Sequence, residues 1–150
     1  LIALGSQAGY RMWVTSRDAD KREQALALGA DQAFESGVRL PARVDGVMET
    51  VGKATWKHSL RSVRPGGSIV ISGATSGYSA DTELSRVFFL QLRVVGSTMG
   101  TRDELERLLT FCAVRGVRPV VDRTLPMDQA PDAFAALAAG DVFGKIVLTR

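Results

Sequence analysis

The stretch "VTSRDADKREQALALGAD", residues 14–31, changes its pattern half-way along. Met12 to Ser16 is short and mostly apolar, as a buried strand is. From Asp20 to Leu28 the spacing is helical, with Ala25, Leu26 and Leu28 expected inward and Gly29 as the stop. Between them sits a basic, hydroxyl-bearing corner, Thr15-Ser16-Arg17, with Lys21 one helical turn further on. A strand that feeds straight into a helix is half of a crossover unit.

The rest of the chain repeats the theme. Leu1 to Ala8 reads as the last turns of a helix closed at Gly9. Gln32 to Phe34 is a short strand, followed by the polar loop "ESGVRLPAR". Val44 to Glu49 is a strand with a turn at Gly52, and Thr55 to Val63 is helical. "RPGG" is expected as a tight turn, followed by the apolar strand "SIVIS" and the loop "GATSG". Val87 to Leu92 is apolar without a clear period, and Arg93 to Thr98 is a strand.

Thr101 and Glu104 form a capping box, whose helix runs to about Arg115 and stops at Gly116. "PVVDRTL" is a strand, Asp128 to Ala139 a helix capped by Asp128 and closed by Gly140, and Lys145 to Thr149 a last strand. Apolar strands alternating with amphipathic helices predict an α/β fold with a parallel sheet covered on both faces.

At 150 residues, with 45% hydrophobic and 23% charged residues, the chain is long enough for one domain with a core. The net charge is +3 and the basic residues are interleaved with acids, so neither a nucleic-acid nor a membrane partner is indicated. Cys112 is the only cysteine, which excludes an internal disulfide and points to a reducing, cytoplasmic setting. No apolar run reaches a membrane-spanning length. "LIALGSQAG" has no initiator Met, basic segment or cleavage signal, so a piece of a longer protein is expected rather than a secretory leader.

In open parallel sheets, ligands lie beyond the carboxyl ends of the strands. Those ends are Thr15-Ser16-Arg17, Thr50-Val51-Gly52, Gly73-Ala74-Thr75 and Gly96-Ser97-Thr98-Met99. All four are small, polar or glycine-bearing, which lets a ligand approach backbone. One such loop is ordinary turn chemistry; four in a row argue for a ligand.

The stretches "VTSRDADKREQALALGAD", "VDGVMETVG", "LRSVRPGGSIVISGATSG", "VVGSTMGTRDEL" and the tail "PMDQAPDAFAALAAGDVFGKIVL" cover nearly the whole chain. In that order they resemble the cofactor-binding half of the medium-chain dehydrogenase/reductase superfamily, within it the zinc-type alcohol dehydrogenase and quinone oxidoreductase group. The resemblance implies a Rossmann fold with strand order 3-2-1-4-5-6 and a nicotinamide dinucleotide at the switch point. The family's first strand and Gly-rich phosphate loop would fall just before Leu1. Gly5 and Gly9 do not replace that loop, because no strand precedes them. Residues 1–150 are thus expected to be a partial Rossmann domain with a returning C-terminal tail, without the N-terminal catalytic domain.

Other implications are local. Ser16 falls where NAD-preferring members carry an acid for the adenosine ribose. Ser16 and Arg17 can instead donate to a 2′-phosphate, and Lys21 matches a position that contacts the ribose or its phosphate. NADP(H) is therefore expected over NAD(H), with Asp18 as the one carboxylate able to swing toward the ribose. Thr50, Val51 and Gly52 match the turn beside the ribose and nicotinamide; Gly73 and Ala74 match the segment facing the carboxamide. Ser97 and Met99 match the loop that closes over the same ring, and Lys145 lies near a basic position at the pyrophosphate. The implied whole enzyme moves hydride to or from an alcohol, ketone, quinone or enone. No catalytic residue and no metal ligand is implied for this chain, so zinc is not expected on it and the isolated chain is expected to be inactive.

The remaining conspicuous residues have plainer roles. His58 is expected at the surface or satisfied locally, and Cys112 in the core; one Cys and one His do not make a zinc site. Asp45 and Glu49 flank a strand without other support for proton chemistry, and Trp13 and Trp56 are packing residues.

Two further readings stand beside the oxidoreductase. "VRPGGSIVISG" also resembles a strand of S-adenosylmethionine-dependent methyltransferases, although the tail has no place there. Alternatively, the chain is a non-catalytic dimerising module. The resemblance implies homodimer pairing through the edge strand near Arg93–Thr98, and "FFLQLRVVGS" is apolar enough for it. In either case, a sheet lacking its central strand is expected either to receive that strand from further or partner chain or to be distorted.

Overall fold

The computed structural model describes all 150 residues, Leu1–Arg150. Helix α1 (Ile2–Gln7) leads to β1 (Trp13–Thr15), α2 (Ala19–Ala27) and β2 (Gln32–Phe34). Then come β3 (Val44–Glu49), α3 (Lys53–Ser62), β4 (Val63–Ile71), α4 (Leu84–Phe89) and β5 (Arg93–Gly96). The chain closes with α5 (Arg102–Arg115), β6 (Val121–Pro126), α6 (Ala130–Ala139) and β7 (Lys145–Thr149).

Every strand pairing is parallel, but the strands form three sheets: β1-β2, β3-β4-β5 and β6-β7. No ladder joins β1 to β3. The order implied by the resemblance is reproduced on either side of that break, β2 and β1 on one flank and β3, β4 and β5 on the other. These residues do not close a regular sheet by themselves, since no strand of this chain lies between β1 and β3 to pair with both.

Helix ends follow local chemistry. Asp18 caps α2 by accepting from the Lys21 amide at 3.1 Å. The Thr101–Glu104 capping box opens α5, and Gly116 closes it in the left-handed conformation. The core lies around β4: Trp56, Leu60, Val63, Ile69 and Leu92 form one buried cluster.

The structure corrects four local expectations. Leu26 is 47% exposed, because α2 faces its strands through Ala25 and Leu26 lies about 100° round the helix. Cys112 is half-buried rather than core, since α5 buries no residue at all. "RPGG" is a bulge within β4 rather than a turn before it: Val63 pairs with Val44 but Ser68 with Gly46, so the extra residues loop out. Gly66 takes φ 72° there, and its amide donates to the Leu90 carbonyl at 2.8 Å. Finally, Asp128 lies in a 3-10 turn, Met127–Gln129, and does not cap α6, whose N-cap is Gln129.

Much surface is left open. The chain exposes 10712 Å², where a folded monomer of its mass exposes roughly 7400 Å². Apolar residues account for part of the excess, among them Phe88, Phe89, Val94, Val95, Leu105, Leu109 and Phe134.

Candidate functional site

The carboxyl ends of β3, β4 and β5 lie side by side, because these strands are paired in register. Their loops are tied to one another. At the end of β3, the Glu49 side chain turns inward and is only 3% exposed. Its Oε1 accepts from the Val51 amide at 2.9 Å, the Gly52 amide at 3.0 Å and Thr55 Oγ1 at 2.8 Å. Its Oε2 accepts from Ser59 Oγ. Burial works to raise the Glu49 carboxyl's pKa, but the bonds from Ser59, Gly52, Thr55 and Val51 outweigh it and hold it below the ordinary value. Glu49 is an ionised, fully bonded anchor.

The outer side of the same turn is held by Ser76, in the loop after β4. Its amide and hydroxyl both donate to the Val51 carbonyl, at 2.8 and 2.6 Å, and its oxygen accepts from the Ala54 amide at 2.9 Å. The Lys53 amide adds a bond to the Gly77 carbonyl at 3.2 Å. The helix N-terminus of α3 is thereby satisfied by a neighbouring loop rather than by its own cap residue. Two glycines allow the contact. Gly52 sits at φ 88°, and a Cβ on it would stand 2.7 Å from the Gly77 carbonyl oxygen and 2.8 Å from Ala74 Cα. A Cβ on Gly73 would stand 2.8 Å from the Thr50 carbonyl oxygen. Thr50, Val51, Gly52, Gly73 and Ala74 thus form one locked pair of loops.

Ser97 joins this edge, its amide donating to the Ile71 carbonyl at 2.8 Å. Met99 stands beyond it, 95% exposed and at φ 57°, so its side chain points away from packed protein.

The corner after β1 belongs to the other sheet. Ser16 Oγ accepts from the Asp18 amide at 3.2 Å, which leaves its hydroxyl hydrogen free to donate. Arg17 is exposed and makes no hydrogen bond or ion pair. Asp18 is engaged as the α2 cap. Lys21 Nζ donates to the Gly140 carbonyl at 2.5 Å, tethering the end of α6 to this corner rather than standing free. Arg22, which the sequence reading passed over, donates from Nη1 to the Ser16 carbonyl at 2.7 Å and so brings a second guanidinium to the corner. No hydrogen bond joins this corner to the Thr50–Gly52 turn.

Residues 23–148 match the family model of the zinc-binding dehydrogenases. An alcohol dehydrogenase of Geobacillus stearothermophilus is 30% identical over 142 residues, covering 86% of this chain and 40% of that protein. An acryloyl-coenzyme A reductase of Metallosphaera sedula is 29% identical over 107 residues, covering 71% of this chain and 32% of that protein. A solved NAD-dependent alcohol dehydrogenase superposes with TM-score 0.89 at 31% identity, covering 99% of this chain and 46% of that one.

This chain belongs to the zinc-binding dehydrogenase family. It corresponds to the C-terminal half of a medium-chain dehydrogenase/reductase, with that half's Rossmann-like fold. It spans less than half the length of the relatives it matches.

The zinc of the family's name has no ligand set in this dehydrogenase chain. No three His, Cys, Asp or Glu residues are grouped to hold a metal. Cys112 is on α5, and His58 Nε2 is 2.8 Å from the Val38 carbonyl. Asp45 and Glu49 are not a pair either: exposed Asp45 bonds Arg64 at 2.6 Å, and that bond holds its carboxyl below the usual value. Trp56 is buried with Nε1 on Thr82 Oγ1, whereas Trp13 is half-buried with its ring nitrogen unpaired.

Sequence reasoning missed Arg22, Ser76 and the anchoring role of Glu49. The signal for Glu49 was thin: an acid ending an apolar strand, with Thr55 and Ser59 on one face of the next helix.

Proposed function

We propose that this chain forms the cofactor-contacting wall of a cytoplasmic, NADPH-dependent oxidoreductase that moves hydride between nicotinamide and an alcohol, ketone, quinone or enone. The observation that carries the cofactor choice is the corner after β1. Ser16 and Arg17 have donors to spare, Arg22 stands behind them, and Asp18, the acid beside them, accepts from the Lys21 amide at the head of α2. Charge-assisted bonds from such donors suit a 2′-phosphate. At the other end, the Thr50–Gly52 and Gly73–Ala74 loops would hold one face of the ring by backbone contact and shape, with Ser97 and Met99 closing over it. The small-molecule substrate would meet the ring from residues outside this chain, and neither nucleic acid nor membrane takes part.

The test is the affinity of the protein, as its gene encodes it, for NADPH and NADH. NADPH is expected to bind more tightly. Arg17→Ala should weaken NADPH about tenfold, as for a lost bond to a charged group, and leave NADH unchanged. Tighter NADH binding by the unaltered protein overturns the cofactor choice.

A dimer through the β5 edge is a second reading, favoured by four consecutive exposed residues, Arg93–Gly96, on a strand with one free edge. Sedimentation of the protein with Val95→Lys should then show monomer where the unaltered protein shows dimer; a monomeric unaltered protein rules it out.

A further inference from the structure

We infer that Glu49 is a positioning residue for the nicotinamide end of the cofactor, an inference that rests on the Thr50–Gly52 turn being a cofactor contact. A carboxylate this deeply buried is costly to desolvate, and an apolar side chain would fill the strand end at no such cost. What the carboxylate does, and an apolar side chain cannot, is bind consecutive backbone amides. Oε1 takes the Val51 and Gly52 amides together, and Oε2 is tied to α3 through Ser59. The Val51 carbonyl is meanwhile taken by Ser76. The turn's inward-facing donors are therefore consumed by Glu49, and its outward acceptor by the next loop.

What remains unpaired at the turn is Thr50, whose amide, carbonyl and hydroxyl make no hydrogen bond within the chain. The Thr50 carbonyl lies at the seam with Gly73, where a Cβ would stand 2.8 Å from its oxygen. Glu49 thus acts through the backbone. It fixes the orientation of the Val51 and Gly52 peptides, and with them the direction in which Thr50 presents its free groups. Thr55 shares the load, bonding both Glu49 Oε1 and the Gly52 carbonyl from one hydroxyl.

A role confined to this turn should be felt at one end of the dinucleotide only. The experiment titrates the protein, as its gene encodes it, with NADPH and with adenosine 2′,5′-bisphosphate, which keeps the adenosine half and lacks the nicotinamide ring and its ribose. Glu49→Gln should weaken NADPH about tenfold, one lost bond to a charged group, while the ring-less fragment stays within about twofold. Thr55→Val, which keeps the side chain's shape, should shift the same ratio in the same direction by less, and it decides the matter if Glu49→Gln does not fold.

Equal weakening of both ligands, or of neither, overturns the inference, because a general structural role moves both together. The unaltered protein's own affinities test the functional reading separately. A preference for NADH overturns the NADPH choice and leaves Glu49 to be judged by the same ratio with NADH and AMP. Binding of neither dinucleotide overturns both.

Discussion

Around β3, β4 and β5 the chain encloses Trp56, Leu60, Val63, Ile69 and Leu92, and the loops at the carboxyl edge are bonded to each other. Around β1 and β2 only Ala25 and Ala30 are buried, Trp13 meets Phe34 edge-on at 5.4 Å, and the Trp13 ring nitrogen has no partner. The two flanks of one interrupted sheet are thus of different solidity. On the first, a central strand is covered by partners on both edges, so its side chains can be enclosed and its loops held in place. On the second, a two-stranded ladder has little to close upon, and its corner is shaped chiefly by a helix cap and one arginine. The turn after β3 is preformed; the corner after β1 is local.

The sharpest way to break this contrast is to cut each flank in turn. Ile69→Ala, at a residue with no exposure, should cost about 2–5 kcal/mol in chemical denaturation. Trp13→Phe removes the orphaned ring nitrogen while keeping an aromatic, so it should be nearly neutral or slightly stabilising. Comparable losses at both sites would mean that the flanks are equally packed. Gly52→Ala comes next: positive φ and the close Gly77 carbonyl should cost about 1–3 kcal/mol in the same assay, with NADPH binding impaired.

The smallest effect is in acid. The Glu49 carboxyl is held below its ordinary value, so the stability it contributes is full above the unfolded value and is lost as pH falls through the folded one. Glu49→Gln should therefore flatten the acid limb of stability against pH, below the ordinary glutamate range. An unchanged acid limb would show that Glu49 is no anchor.

Parts of both flanks were legible without coordinates. The sequence pattern marks each strand and most helix ends, because those depend on nearby residues. The Thr101–Glu104 box, the Gly116 and Gly140 stops and the Asp18 side of α2 all close their hydrogen bonds within a few positions. Strand ends therefore located the loops at the carboxyl edge. Leu26 and Cys112 were misread for the opposite reason. Periodicity says which face of a helix is apolar, whereas burial depends on whether another element arrives to cover it, and on α5 none does.

By itself, then, the sequence determined the α/β alternation, the Thr101–Glu104 cap, the glycine stops of α5 and α6, the basic corner at Ser16-Arg17 and the likeness to the dehydrogenases. Only the tertiary structure decided that Ser76 clamps a turn 25 residues away and that Lys21 reaches the carbonyl of Gly140 across 119 positions. It alone also showed that Glu49 faces amides rather than a substrate. Helix caps and periodicity are set by bonds within a turn or two of chain, so they can be read in order along it. Which loop docks on which, and which carboxylate is enclosed, depends on strand pairing between distant segments, and that is settled only when the sheet forms.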